Sequence, residues 1–178
     1  MRFFPAVVGG LSCLVAQLDA SAAASAGQPV DRTAPALVWS AGVFALVEAY
    51  DYPYDVGVEY IGRPLTSWQI VPALGLSIGP DGMAYLRTGI ERDFALGGHW
   101  YLTPSLAGGY FNNGDAIGVH DHLEFQTGIA ISLLSSSGSR WGLAGYHISN
   151  GGLQDRNNGT EAVVFFVRVP LAFGASHD

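Results

Sequence analysis

The sequence predicts an all-β protein, an eight-stranded antiparallel transmembrane β-barrel of the outer membrane. Three observations carry this. Hydrophobic residues make up 49% of the 178-residue chain and mean hydropathy is +0.26, yet after Gly27 no stretch approaches the ~20 consecutive apolar residues that a spanning helix requires. The apolar residues recur with period two, the spacing of strands and not of helices. The alternating segments run to about 9–13 residues, long enough to cross a bilayer at a tilt, where strands of soluble sheets are typically ~5–6.

The alternation shows clearly in 123–134, LEFQTGIAISLL. One face there carries Leu123, Phe125, Thr127, Ile129, Ile131 and Leu133; the other carries Glu124, Gln126, Gly128, Ala130 and Ser132. In 84–93 the apolar face is Ala84, Leu86, Thr88 and Ile90, opposite Tyr85, Arg87, Gly89, Glu91 and Asp93. In 161–173, Val163, Phe165, Val167, Val169, Leu171 and Phe173 follow Glu161 on one face, with Arg168 and small alanines on the other. Charges of both signs among small residues suit a narrow lumen, where they pair, with the apolar face in lipid. Arg63, Arg87, Arg168, Glu59, Glu91 and Glu124 are the expected lumen network.

Eight strands are expected, at about 37–50, 55–63, 66–78, 83–93, 98–110, 121–134, 140–150 and 160–173. The second, fourth and sixth connections are short, around Pro64-Leu65, Ala95-Leu96-Gly97 and Ser135 to Ser139. The fifth, Phe111 to His120, and the seventh, Gly151 to Gly159, are longer. With the N-terminus periplasmic, odd-numbered connections face outside; the fifth and seventh have the length expected of external loops, whereas the first, Asp51–Tyr54, and the third, Gly79–Gly82, are short. The tight connection Gly79-Pro80-Asp81-Gly82 fits a hairpin, and Asn158-Gly159-Thr160 reads as a turn. Trp39, Trp68, Trp100 and Trp141 are candidates for an interfacial aromatic girdle, and Phe173 for a terminal insertion signal.

Residues 1–26 read as a secretory signal peptide, with Arg2 as the positive end, an apolar run over 3–18 and a small-residue cleavage site at Ala24-Ser25-Ala26. Residues 27–178 then form the barrel domain. Cleavage removes Cys13, the only cysteine, so neither a disulfide framework nor a thiolate zinc site is expected. All eight basic residues are Arg, the net charge is −7 and no basic run exists, which excludes an electrostatic footprint for nucleic acid. His120-Asp121-His122 offers two imidazoles without a third ligand at metal-binding spacing, so no metal is expected.

The chemistry gathers in 146–161, YHISNGGLQDRNNGTE. His147 and Ser149 are two apart and share the face of Trp141, Leu143 and Gly145, the lipid-facing set. Glu161 leads the corresponding face of the next strand. Three polar groups on a lipid-facing surface are costly unless they pair or lie at headgroup level. Together they have the composition of an acyl-transfer triad: Ser149 as nucleophile, His147 as general base and Glu161 as the carboxylate orienting the imidazole. The Asn150 side-chain amide and the N–H groups of Gly151 and Gly152 are candidate oxyanion donors, provided a bend after Ser149 brings Asn150 round. The rate should fall in acid, as the imidazole base takes up a proton. On spacing alone, loop-edge polar residues that merely satisfy one another remain an alternative.

His147-Ile148-Ser149-Asn150, with Glu161 placed 12 residues after Ser149 at the head of an aromatic final strand, resembles the lipid A 3-O-deacylase family of Gram-negative outer membranes. The resemblance spans 36–173, with the specific motif in 141–173. It implies an eight-stranded outer-membrane barrel that hydrolyses the ester-linked 3-hydroxyacyl chain at position 3 of lipid A. It further implies that His147 is the base, Ser149 the nucleophile, Glu161 the orienting acid and Asn150 an oxyanion donor, on a triad facing the lipid. The partner it implies is lipid A, or lipopolysaccharide, in the outer leaflet, with no cofactor and no metal. Asp155-Arg156 in the loop and the five residues after Phe173 depart from that pattern. A non-catalytic structural or adhesion barrel is the alternative reading, and an outer-membrane phospholipase or palmitoyltransferase a third. A homodimer is compatible with the sequence, which does not fix the oligomeric state.

Overall fold

A computed structural model of the chain describes residues 34–44, 53–65, 67–112, 122–153 and 159–171. Strands β1 (Ala36–Phe44), β2 (Tyr54–Ile61), β3 (Val71–Ile78), β4 (Ala84–Glu91), β5 (Phe94–Gly97), β6 (Trp100–Asn112), β7 (Leu123–Leu134), β8 (Arg140–Ser149) and β9 (Thr160–Pro170) follow one another. The sheet order is β4-β3-β2-β1-β9-β8-β7-β6-β5, and β4 also pairs with β6, which closes the ring. Every pairing is antiparallel, so no edge of the eight-stave barrel is left unpaired.

The short β5 continues the stave begun by β4. Both pair with β6 in one register, Glu91↔Ser105 and then Phe94↔Leu102. The ladder lapses between them because Pro104, opposite Arg92, has no N–H to donate; only the Arg92 N–H to Pro104 carbonyl bond remains, at 3.2 Å. The turn expected at Ala95-Leu96-Gly97 therefore lies further on. Gly97, Gly98 and His99 all have positive φ, and two glycines make that sharp reversal accessible. The strand expected from residue 66 begins only at Val71, since Trp68 lies in a turn and Gln69 is left-handed (φ 59°).

The period-two pattern sorts the two faces. Trp39, Leu74, Leu86, Leu106, Ile129, Trp141 and Leu143 are all exposed on the outside, each 42% or more. An apolar belt of this extent belongs in lipid. Trp100 and Trp141 open β6 and β8 at one end of the barrel, and Trp68 lies in a connection at the same end. Arg92, exposed at that end, lies with its guanidinium 4.8 Å from the Phe94 ring.

Inside, side chains fill the barrel in layers. Near the β2–β3 connection Ala36, Ile61 and Val71 cluster. Further along, charges pair: Arg87 Nη2 donates to Glu59 Oε2 and Arg168 Nη1 to Glu91 Oε1, both at 2.6 Å. Arg140, which sequence reasoning did not assign to the lumen, bonds Asp93 Oδ2 and Oδ1, Thr103 and Ser132. Arg63 is not part of this network. It is exposed beyond the end of β2, because the chain leaves the sheet at Gly62 before Pro64. Glu124 faces inward, 1% exposed, and its backbone carbonyl accepts the Tyr85 hydroxyl at 3.0 Å. At the opposite end Phe44, Met83, Tyr85, Phe111, Ile148 and Ala162 form an apolar plug, with Phe111 edge-on to Phe44 and Tyr85. The proposed signal peptide, Phe173, His120 and Asp155-Arg156 lie outside the described residues.

Candidate active site

β8 and β9 meet at the plugged end of the barrel. Their register pairs His147 with Glu161 and Ile148 with Thr160. On its other side β8 pairs His147 with Thr127 and Ser149 with Phe125. The inward-facing neighbours, Ile148, Thr160 and Ala162, are 1–2% exposed and pack into the interior, so the two strands carrying the site are held firmly from beneath. The outward alternates are then His147, Ser149 and Glu161, as their parity requires.

His147 Nδ1 lies 3.2 Å from Glu161 Oε1, with side chains 53% and 37% exposed. Ser149 follows two residues along on the same outer face, half-buried at the end of β8. Among the described residues the His–Glu arm is hydrogen-bonded and the Ser–His arm is not. Catalytic hydrogen bonds of this kind are often loose without substrate and tighten in its complex.

Directly after Ser149 the chain bends. Asn150 is 3% exposed, and its Oδ1 accepts the Gly152 N–H at 2.9 Å. Its backbone carbonyl accepts the Leu153 N–H at 3.3 Å. Gly151 (φ 67°) and Gly152 (φ 77°) are both left-handed, a conformation costly for any residue with a Cβ. The chain thus turns after Ser149 on an Asn anchor, with the Asn150 side chain buried. The Gly152 N–H, one of the three anticipated oxyanion donors, is committed to that anchor in this structure.

Two residues of this surface were not singled out by sequence reasoning. The Phe125 ring packs beside Gly108 and reaches Gly151, forming a wall next to Ser149. Gly159 lies under the His147 ring: a Cβ there would stand 2.8 Å from Cε1 and 3.3 Å from Nε2. The sequence reads Gly159 only as part of the Asn158-Gly159-Thr160 turn; its place two residues before Glu161 sets it opposite Ser149 once the register is known. His122 stacks on Tyr110, with ring centroids 5.0 Å apart.

A closed ring of eight antiparallel staves, apolar outside and charge-paired inside, defines an outer-membrane β-barrel that crosses the membrane many times. The barrel superposes on the crystal structure of the outer membrane enzyme PagL with a TM-score of 0.64 and 18% identity, over 76% of this chain and 99% of that one. Two weaker overlays are a de novo designed transmembrane β-barrel (12% identity, 77% and 96% coverage, TM-score 0.49) and the Yersinia pestis outer membrane protein Ail (12%, 76% and 99%, 0.45). No curated protein matches the chain significantly. Residues 58–170 match the family model for lipid A 3-O-deacylase (PagL). The chain belongs to this family and is an outer-membrane lipid A deacylase.

Proposed function

We propose that the protein hydrolyses the ester joining the 3-hydroxyacyl chain to position 3 of lipid A, by a serine mechanism run by Ser149, His147 and Glu161. The observation that carries this reading is the outward-facing His147–Glu161 hydrogen bond of 3.2 Å, with Ser149 two residues further along the same face. The Glu161 carboxylate accepts the Nδ1 proton and so leaves Nε2 as the base. Nε2 takes the Ser149 proton as Oγ bonds to the ester carbonyl carbon. The tetrahedral intermediate then collapses, breaking the bond to the sugar oxygen, which receives the proton from the imidazolium. The acyl-serine left behind is hydrolysed by water, which gives one proton to Nε2 as its oxygen attacks. The free 3-hydroxy fatty acid leaves and Ser149 regains its proton.

Asn150, through Nδ2, and the Gly151 N–H are the donors for the oxyanion. Gly152 contributes by holding Asn150 Oδ1 and so fixing the plane of the amide. Residues 1–26 act as the export signal and 27–178 as the enzyme. The four connections at the plugged end include the longest ones, and the loop asymmetry of outer-membrane barrels supports an outer-leaflet position for Ser149, His147 and Glu161. Lipid A esters lie near headgroup level in that leaflet, so the acyl chain reaches Ser149 sideways along the apolar belt.

Mass spectrometry of lipid A after expression tests the reading. The protein should remove one hydroxyacyl chain; Ser149→Ala should abolish the loss and His147→Ala should leave only a small residual rate. Deacylation near the parent rate in either variant overturns the serine mechanism, and a gain of palmitate in place of loss overturns the reaction.

A further inference from the structure

We propose that Gly159 is a positioning residue for His147: the missing side chain at 159 is the space in which the imidazole lies, and it aligns the ring between Glu161 and Ser149. The proposal rests on the serine mechanism above.

Three observations carry it. A Cβ on Gly159 would stand 2.8 Å from His147 Cε1, closer than real Cβ atoms approach, and 3.3 Å from Nε2. The Cε1–Nε2 edge of the ring, the edge that must take the serine proton, therefore runs over residue 159. The pairing of His147 with Glu161 and Ile148 with Thr160 carries Gly159 to the level of Ser149 on the neighbouring strand. A ring tied at Nδ1 to Glu161 and laid over Gly159 thus extends along β8 toward the nucleophile.

The backbone does not itself call for glycine here. Gly151 and Gly152 are left-handed, whereas Gly159 is not, so an L-residue fits its conformation. The other close neighbour is the Ile148 carbonyl oxygen, 3.2 Å from the same Cβ position, a contact relieved by a few tenths of an ångström. What a methyl group would displace is the far end of a half-exposed side chain and not the core. Loss of alignment without loss of the barrel is the expected consequence, and a misplacement of about 1 Å at a reacting group costs on the order of 10²-fold in rate.

The test is the deacylation rate of Gly159→Ala on lipid A in mixed micelles, per molecule of folded barrel, scored by heat-modifiable migration. We expect kcat to fall at least about tenfold with KM within about twofold of the parent. Added to His147→Ala, the same change should leave the residual rate where it is, because no ring remains to be displaced. An unchanged kcat in Gly159→Ala, or a further fall in the His147→Ala background, overturns the proposal. Failure of the serine mechanism reads differently: Ser149→Ala would stay active. A dead Ser149→Ala beside a fully active Gly159→Ala rejects the role of Gly159 alone.

Discussion

His147 and Glu161 face each other across the β8–β9 ladder as register partners, with Nδ1 and Oε1 3.2 Å apart on the outside of the barrel. Adjacent antiparallel strands bring directly opposed side chains to within hydrogen-bond reach without further scaffolding. Replacing Glu161 with Gln keeps an oxygen that can accept from Nδ1 but removes the charge that stabilises the imidazolium in the proposed mechanism. We expect kcat to fall by about 10⁴-fold while the barrel folds as before. Both side chains are more than a third exposed, so the pair contributes under about 1 kcal/mol to stability. Steady-state deacylation alongside urea unfolding in vesicles separates the two effects.

Asn150 has two separable jobs. Its Oδ1 holds the Gly152 N–H, and its Nδ2 is the proposed oxyanion donor. Asn150→Asp keeps the acceptor and removes the donor; Asn150→Ala removes both. Loss of one oxyanion donor costs ~10²–10³ in kcat, so Asp alone should produce a drop of that order. Asn150→Ala should in addition loosen the turn and lower the unfolding midpoint. Equal activity of Asn150→Asp and the parent would exclude Asn150 from the oxyanion site.

Asp93 lies on the stave that β4 and β5 share and faces the lumen. Its carboxylate accepts from Arg140 through both oxygens and from the Thr103 hydroxyl through Oδ1. Asp93→Asn keeps the shape but removes the charge opposite Arg140, so a buried guanidinium is left with a weaker partner. The variant should lose roughly 2 kcal/mol, read as a lowered urea midpoint in lipid vesicles. An unchanged midpoint would exclude a stabilising role for the Asp93–Arg140 pair.

Leu143, in the middle of β8, is 54% exposed on the outer face. Arginine at that depth should cost about 2–4 kcal/mol, measured as a lowered urea midpoint for refolded protein in lipid vesicles. Little or no change would contradict the placement of this face in lipid.

Much of the architecture is legible in the sequence because one rule, alternation, acts locally. It assigns Trp141, Leu143, Gly145, His147 and Ser149 to one face before any partner is known, and exposure of Trp141, Leu143 and His147 agrees. Where the rule is interrupted, the reading drifts: Pro104 silences the ladder opposite Arg92, so a stave that continues to Gly97 looks like one that ends at 93. Arg63 follows the lumen parity but lies past the last paired residue of its strand, and alternation has no meaning there.

What the sequence by itself determined is the period, hence the two faces, the outward side of His147, Ser149 and Glu161, and the strand length that crosses a bilayer. Only the tertiary structure decided which residues meet: Arg140 with Asp93 across 47 positions, His147 with Glu161, and the imidazole over Gly159. The physical reason is that face depends on a residue's own strand, whereas partnership depends on the stagger at which eight strands close into a ring.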